Sequence, residues 1–148
     1  THRARVFKLC PRPSARPAMS ERVSVSIPNV GEPADPRAGS QCIRSGNLLF
    51  ISGQIALDNG ELIGPDDPLE QCRQCLRHIQ SFVTAAGGTL NDIVSLDIFL
   101  TDIGYRPAAG QARAEFFSAP GPSATVVGGV NLAFEGLLVE ISARAVLS

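Results

Sequence analysis

Leu137-Leu138-Val139-Glu140-Ile141-Ser142-Ala143-Arg144-Ala145-Val146 alternates with a period of two. Such a period marks a β-strand. Leu137, Val139, Ile141, Ala143 and Ala145 share one face, which is apolar throughout and must cover a core. Leu138, Glu140, Ser142, Arg144 and Val146 share the other. On that second face Leu138 and Val146 need cover, and an acid sits mid-strand. The need favours an oligomer.

Upstream segments supply what covers the first face. Asp67-Pro68-Leu69-Glu70 reads as a helix start: Asp67 caps, Pro68 fits the first helical position and Glu70 completes a capping box. Leu69, Cys72, Leu76, Ile79 and Val83 follow at helical spacing, and Gly87-Gly88 ends the helix. Arg106 to Ser118 reads as a second helix, with Pro107 tolerated in its first turn. Between the two, Ile93 to Thr101 reads as a strand with Val94, Leu96, Ile98 and Leu100 on one face. Ser123 to Val127 reads as another strand.

Towards the start, Arg22 to Ile27 alternates like a strand, and Pro28 to Gly39 reads as a loop. Gln41 to Ser45 and Asn47 to Ser52 form a hairpin around Gly46. Asp58-Asn59-Gly60 marks a turn. The order βββ, α, β, α, ββ predicts an α+β fold, with two helices on one face of a mixed sheet.

A chain of 148 residues fits one domain, and with 5% aromatics and no Trp its core is aliphatic. No apolar run approaches the ~20 residues of a membrane helix, so the expectation is a soluble, cytoplasmic protein with no membrane partner. Residues 1–18 hold five basic groups and no acid, and Met19 follows them. They are read as a basic, disordered tail outside a single domain of residues 19–148. The rest carries eight arginines against all 14 acids, a net charge of −6. Such a body repels phosphate backbones, so nucleic acid is not an expected partner. Cys10, Cys42, Cys72 and Cys75 follow no secretion signal and are expected as free thiols.

Several constellations are excluded or reduced. Cys72, Cys75 and His78 stand at i, i+3 and i+6, but Cys72 falls on the apolar stripe and no second Cys/His pair completes a zinc site. The reading is structural, and no metal is expected. Lys8 is the single lysine, which argues against Schiff-base chemistry, and His2 and His78 offer no obvious Ser-His-Asp arrangement. Gly128-Gly129 reads as a bulge rather than a phosphate cradle. Glu140 has two readings from strand position alone. It is a structural acid paired with Arg144 or with a neighbouring subunit's arginine. Alternatively, it is a half-buried acid whose pKa rises towards the range of a general base.

Several segments together resemble the Rid (YjgF) family of enamine/imine deaminases. Ser40-Gln41 and Gly46-Asn47-Leu48-Leu49-Phe50-Ile51-Ser52-Gly53-Gln54 resemble its SQ…GNLLFVSGQ stretch. Glu70-Gln71-Cys72-Arg73-Gln74, Phe99-Leu100-Thr101-Asp102, Ala114-Glu115-Phe116-Phe117 and Leu138-Val139-Glu140-Ile141 resemble further family segments in order. The resemblance implies a chorismate-mutase-like fold and a homotrimer with sites in clefts between subunits. It also implies hydrolysis of reactive imines or enamines to ketones and ammonia, without metal or organic cofactor. Glu140 falls on the family's water-positioning glutamate, and Ser52-Gly53 on the loop lining the cleft.

Three positions depart from the family pattern. The arginine that holds the substrate carboxylate is replaced by Ala124, within Pro122-Ser123-Ala124-Thr125. Gly39 stands at a tyrosine and Gly110 at an asparagine. Losing a buried charge partner costs about 2–5 kcal/mol. The expectation is therefore a Rid-like hydrolase with Glu140 as catalytic residue and a substrate larger or less anionic than the family's usual one. Ser52, Gly53, Ala124, Thr125, Arg106 and Arg144 are the expected substrate-binding positions, the two arginines as candidate replacement cations. A non-catalytic ligand-binding or regulatory trimer is the alternative. A ribonuclease is disfavoured by the acidic body and the missing catalytic histidine.

Overall fold

The computed structural model describes residues 21–148, so the expectations placed on residues 1–18 and on Met19 lie outside the described residues. The chain runs β1 (Arg22–Ser24), β2 (Cys42–Ser45), β3 (Leu48–Ile55), β4 (Leu57–Asp58), β5 (Glu61–Leu62), α1 (Pro68–Ala85), β6 (Ile93–Leu100), α2 (Arg106–Phe116), β7 (Ser123–Val127) and β8 (Val139–Val146). Six strands form one mixed sheet in the order β1-β2-β3-β8-β6-β7, and β4-β5 form a small separate hairpin. Among the described residues, the parallel pair is β6 and β7, because α2 carries the chain back across between them. The fold is α+β, as the alternation and helix signals predict.

The closing strand lies in the middle of the sheet, between β3 and β6. Its face of Val139, Ile141, Ala143 and Ala145 is buried, together with Leu49, Ile51, Leu96, Ile98 and Leu100. Helix α1 lies across β3 and β8, contributing Cys72, Leu76, Ile79, Phe82 and Val83, and α2 packs beside it through Ala109 and Ala112. Arg73 of α1 grips Glu115 of α2 with Nε and Nη2 each 2.7 Å from a carboxylate oxygen. Buried Gln71 fastens the entry to β8: its Nε2 donates to the carbonyls of Gly64 and Gly136, and its Oε1 accepts from the Leu138 N–H. The Leu138 N–H is thereby withdrawn from the ladder, and β8 starts at Val139 rather than Leu137.

Other departures have local causes. Asp67 caps α1, its Oδ1 accepting from the Glu70 N–H at 3.0 Å. The capping box is only half made, because the Asp67 N–H donates to Gly64 O and the Glu70 carboxylate turns to Arg73 and Arg77. At the other end Gly87 takes φ 88°, and the N–H groups of Gly87 and Gly88 close on Thr84 O and Val83 O, a Schellman motif. The strand at Arg22 stops at Ser24, ahead of Pro28, although Val25 still donates to Cys42 O. In β6 the pairing with β8 slips between Ile93 and Ser95. Ile93 is therefore buried and Val94 is 47% exposed, which corrects the expected Val94 face. Helix α2 ends at Phe116 rather than Ser118. The second sheet face is bare: Leu48, Phe50 and Val146 are each more than 40% exposed.

Candidate functional site

A β-bulge builds the site. Ile51 pairs with Ala143 and Gln54 with Ile141, so Ser52 and Gly53 together oppose the single residue Ser142. The bulge bends β3 and brings the Gly53 backbone under the next residue of β8 on the same face, Glu140. A Cβ on Gly53 would overlap Oε1 of Glu140 and lie 2.7 Å from its Cδ. A side chain at this position would push the Glu140 carboxylate out of its place.

The Glu140 carboxylate stands in a shallow pocket of about 270 Å³, with Gly53, Phe99, Val130, Asn131, Leu132 and Ser142. Burial pushes its carboxyl above the usual carboxylate range. Among the described residues it has no hydrogen-bond or ion-pair partner. Of its two sequence readings, the pair with Arg144 is not formed. Arg144 instead donates to Asp97 Oδ2 at 2.9 Å and to Ser95 Oγ at 3.3 Å. A half-buried carboxylate without a compensating cation, beside apolar walls, can hold a water and take its proton.

A larger cavity of about 550 Å³ shares Gly53 as a wall and is lined also by Asn29, Glu32, Gln54, His78 and Phe134. One residue ties this cavity to the bulge. Gln41 O accepts from the Ser52 N–H at 2.8 Å, and Gln41 Oε1 accepts from Ser52 Oγ at 3.0 Å and Gln54 Nε2 at 3.1 Å. Gln41 Nε2 donates to Gly31 O, and its backbone N–H donates to Glu32 Oε2 at 3.1 Å. The Pro28–Gly39 loop is thus fastened to the bulge through a single residue, by its side chain and backbone together.

The remaining expected positions are spread out. Ser52 adjoins Gly53, its hydroxyl committed to Gln41. Thr125 lies on the second face, in register with Asp97. Ala124 pairs with the core residue Leu96, two strands from β8 and on the opposite side of the sheet from Glu140. A side chain there points away from the Glu140 pocket of its own chain. Arg106 heads α2, exposed, and lines neither cavity.

His78 is a core histidine at 1% exposure. Arg77 Nη1 donates to Gln74 Oε1, so the Gln74 amide nitrogen faces His78 Nε2 at 2.9 Å and places the ring proton on Nδ1. That Nδ1 is buried without a partner among the described residues. Burial lowers the His78 pKa and outweighs the Asp58 carboxylate 3.7 Å away, so the ring is neutral and the contact is not an ion pair. Burial also pushes the Cys42 and Cys72 thiols up to about 12, which makes them inert. Sequence reading missed Phe99, which stands beside Glu140 on β6, and also Asn131, Leu132, Glu32 and Phe134, because the loops that deliver these four have no periodicity to read.

A family profile described as Endoribonuclease L-PSP matches residues 32–147. A RutC family protein of Pyrococcus horikoshii is 35% identical over 119 residues, covering 79% of this chain and 91% of that protein. A 2-iminobutanoate/2-iminopropanoate deaminase of Dermatophagoides farinae is 30% identical over 132 residues, 87% of this chain and 99% of the relative. Among solved structures, RidA from an Antarctic Psychrobacter superposes with a TM-score of 0.73 at 28% identity, covering 84% of this chain and 99% of its own. Among the described residues, no helix is long and apolar enough to cross a membrane.

Proposed function

The chain belongs to the endoribonuclease L-PSP family, which includes the YjgF/RidA proteins, and from that membership we propose that it hydrolyses a reactive imine or enamine to a carbonyl compound and ammonia in the Glu140 pocket. The observation that carries the reading is the unpaired Glu140 carboxylate, raised by burial and seated on the Gly53 bulge. Relatives named as deaminases of 2-imino acids and of 3-aminoacrylate support it. As a base, Glu140 takes a proton from water while the water oxygen bonds to the imine carbon. That proton passes to nitrogen to give a carbinolamine; Glu140 then moves the hydroxyl proton to the same nitrogen, the C=O bond forms as the C–N bond breaks, and its electron pair leaves with ammonia. For an enamine, the protonated acid first donates to carbon and forms the iminium. A raised pKa serves both directions.

The substrate is not a small 2-imino acid in this reading. Ala124 offers no cation, and Arg144 is already neutralised by Asp97. Wild-type protein is expected to act poorly on 2-iminobutanoate formed in situ and better on an imine without a carboxylate. The working unit is a homotrimer, whose neighbouring copy closes the pocket over the bare sheet face, and no cofactor takes part. The test is Glu140→Gln against imines generated by an oxidase, read as ammonium release above the uncatalysed rate. A loss of 10²–10⁴-fold is expected for a general base. Near-normal turnover by the variant would make the acid structural and favour a ligand-binding trimer.

A further inference from the structure

The two cavities that share Gly53 as a lining residue have the same sign of charge. In the smaller one the charged lining residue is Glu140, and in the larger one it is Glu32. No arginine or lysine is among the described residues that line either. Of the arginines nearby, Arg144 is held by Asp97 at 2.9 Å and Arg37 by Asp35 at 2.8 Å, while Arg22 lines an adjoining cavity on the other side of Glu32. Glu32 is exposed, and the Gln41 backbone N–H holds one of its oxygens at 3.1 Å while Gln41 Nε2 grips the adjacent Gly31 carbonyl. Each cavity adds an aromatic ring, Phe99 in the smaller and Phe134, 57% exposed, in the larger. A carboxylate and an aromatic ring lining one cavity are groups that recognise an ammonium. Beyond the cavities, the chain from residue 19 onward carries eight arginines against 14 acids, and a field of that sign steers cations in and anions away.

We infer that the substrate carries a second, protonated amine, which Glu32 and Phe134 hold in the larger cavity while the imine carbon lies at Glu140. The inference deepens the hydrolase reading and rests on it. It makes Glu32 a specificity-determining residue in place of the missing arginine, with the opposite sign of selection. Imines of this class form when an amine oxidase takes two electrons from one end of a diamine. The hydrolysis itself is redox-neutral: water adds to the imine carbon, the C–N bond breaks, and the products are an amino-aldehyde and ammonia.

A matched set of six-carbon probes tests it. Hexane-1,6-diamine, hexylamine and 6-aminohexanoate are each oxidised in situ to their imines by a flavin-dependent amine oxidase with catalase. Ammonium release above the uncatalysed rate is then measured. The diamine-derived imine is expected to have the highest kcat/KM and the carboxylate-bearing one the lowest, with at least tenfold between the extremes. Glu32→Gln keeps an acceptor for Gln41 and removes the charge. In that variant the ratio of diamine to hexylamine kcat/KM should fall several-fold towards one, mainly through KM. Calorimetry with unoxidised hexane-1,6-diamine should show binding that weakens in Glu32→Gln and with added salt. Equal turnover of the three imines with dependence on Glu140 would overturn the inference and leave the hydrolase reading standing. If no imine is turned over above the uncatalysed rate, both fail. Diamine binding that ignores the Glu32 charge would also sink the assignment.

Discussion

Glu140 gives the residue scale its clearest sign. Burial raises its pKa in the folded protein above that of the unfolded chain. The stability this contributes is complete below the unfolded pKa and is lost as pH rises through the folded value. At neutral pH the ionised carboxylate therefore works against folding. Glu140→Gln is expected to match or exceed the wild-type Tm at about pH 7, and the gain should vanish near pH 3, below the ordinary carboxyl range. Thermal melts at the two pH values check this, and a lower Tm of the variant at pH 7 would mean that the carboxylate has a stabilising partner. His78 runs the other way. Its pKa is lowered, so its contribution is present above the unfolded value of about 6.5 and is lost as pH falls through the folded value. His78→Gln should flatten the fall in urea midpoint between about pH 7 and pH 5. An unchanged slope would place the acid sensitivity elsewhere.

At the scale of elements, the start of α1 separates two contributions that the sequence motif merges. Asp67 makes its capping bond and Glu70 does not return one. Asp67→Ala should cost about 1 kcal/mol. Glu70→Ala should cost less, because it removes partly exposed ion pairs with Arg73 and Arg77 rather than a cap. Equal losses in urea melts would contradict the half-formed box. Elements with unbroken periodicity were legible: the α1 stripe, the β8 faces and the hairpin at Gly46 lie where the sequence puts them. The two slips, at Ser52-Gly53 and at Val94, were not, because a bulge adds a residue without altering composition. Alternation read straight through Ile93 to Leu100 assigns Val94 to the wrong face. Glu140 was reachable from strand position together with family resemblance. Its carboxylate resting on Gly53 was not, since that contact depends on the bulge.

For the whole molecule, Leu48, Phe50 and Val146 leave an apolar sheet face open to water. A trimer covering that face should scatter light at three times the formula mass of 15.6 kDa. Phe50→Lys sets a second cation in register with Arg144 and should lower the mass to that of a monomer while far-UV circular dichroism stays native. A wild-type monomer would mean that the face is covered in some other way, or not at all.

The position of β8 has a consequence for synthesis. It is the last of the sheet's six strands in chain order, yet it lies between β3 and β6 and carries half of the pairing of each. Until it emerges from the ribosome, β1-β2-β3 and β6-β7 are two separate fragments with no hydrogen bond between them, and α1 has only part of its floor. The nascent chain must wait with its apolar faces uncovered, and folding closes in a single late insertion down the centre of the sheet. Holdase chaperones would meet this protein in that interval.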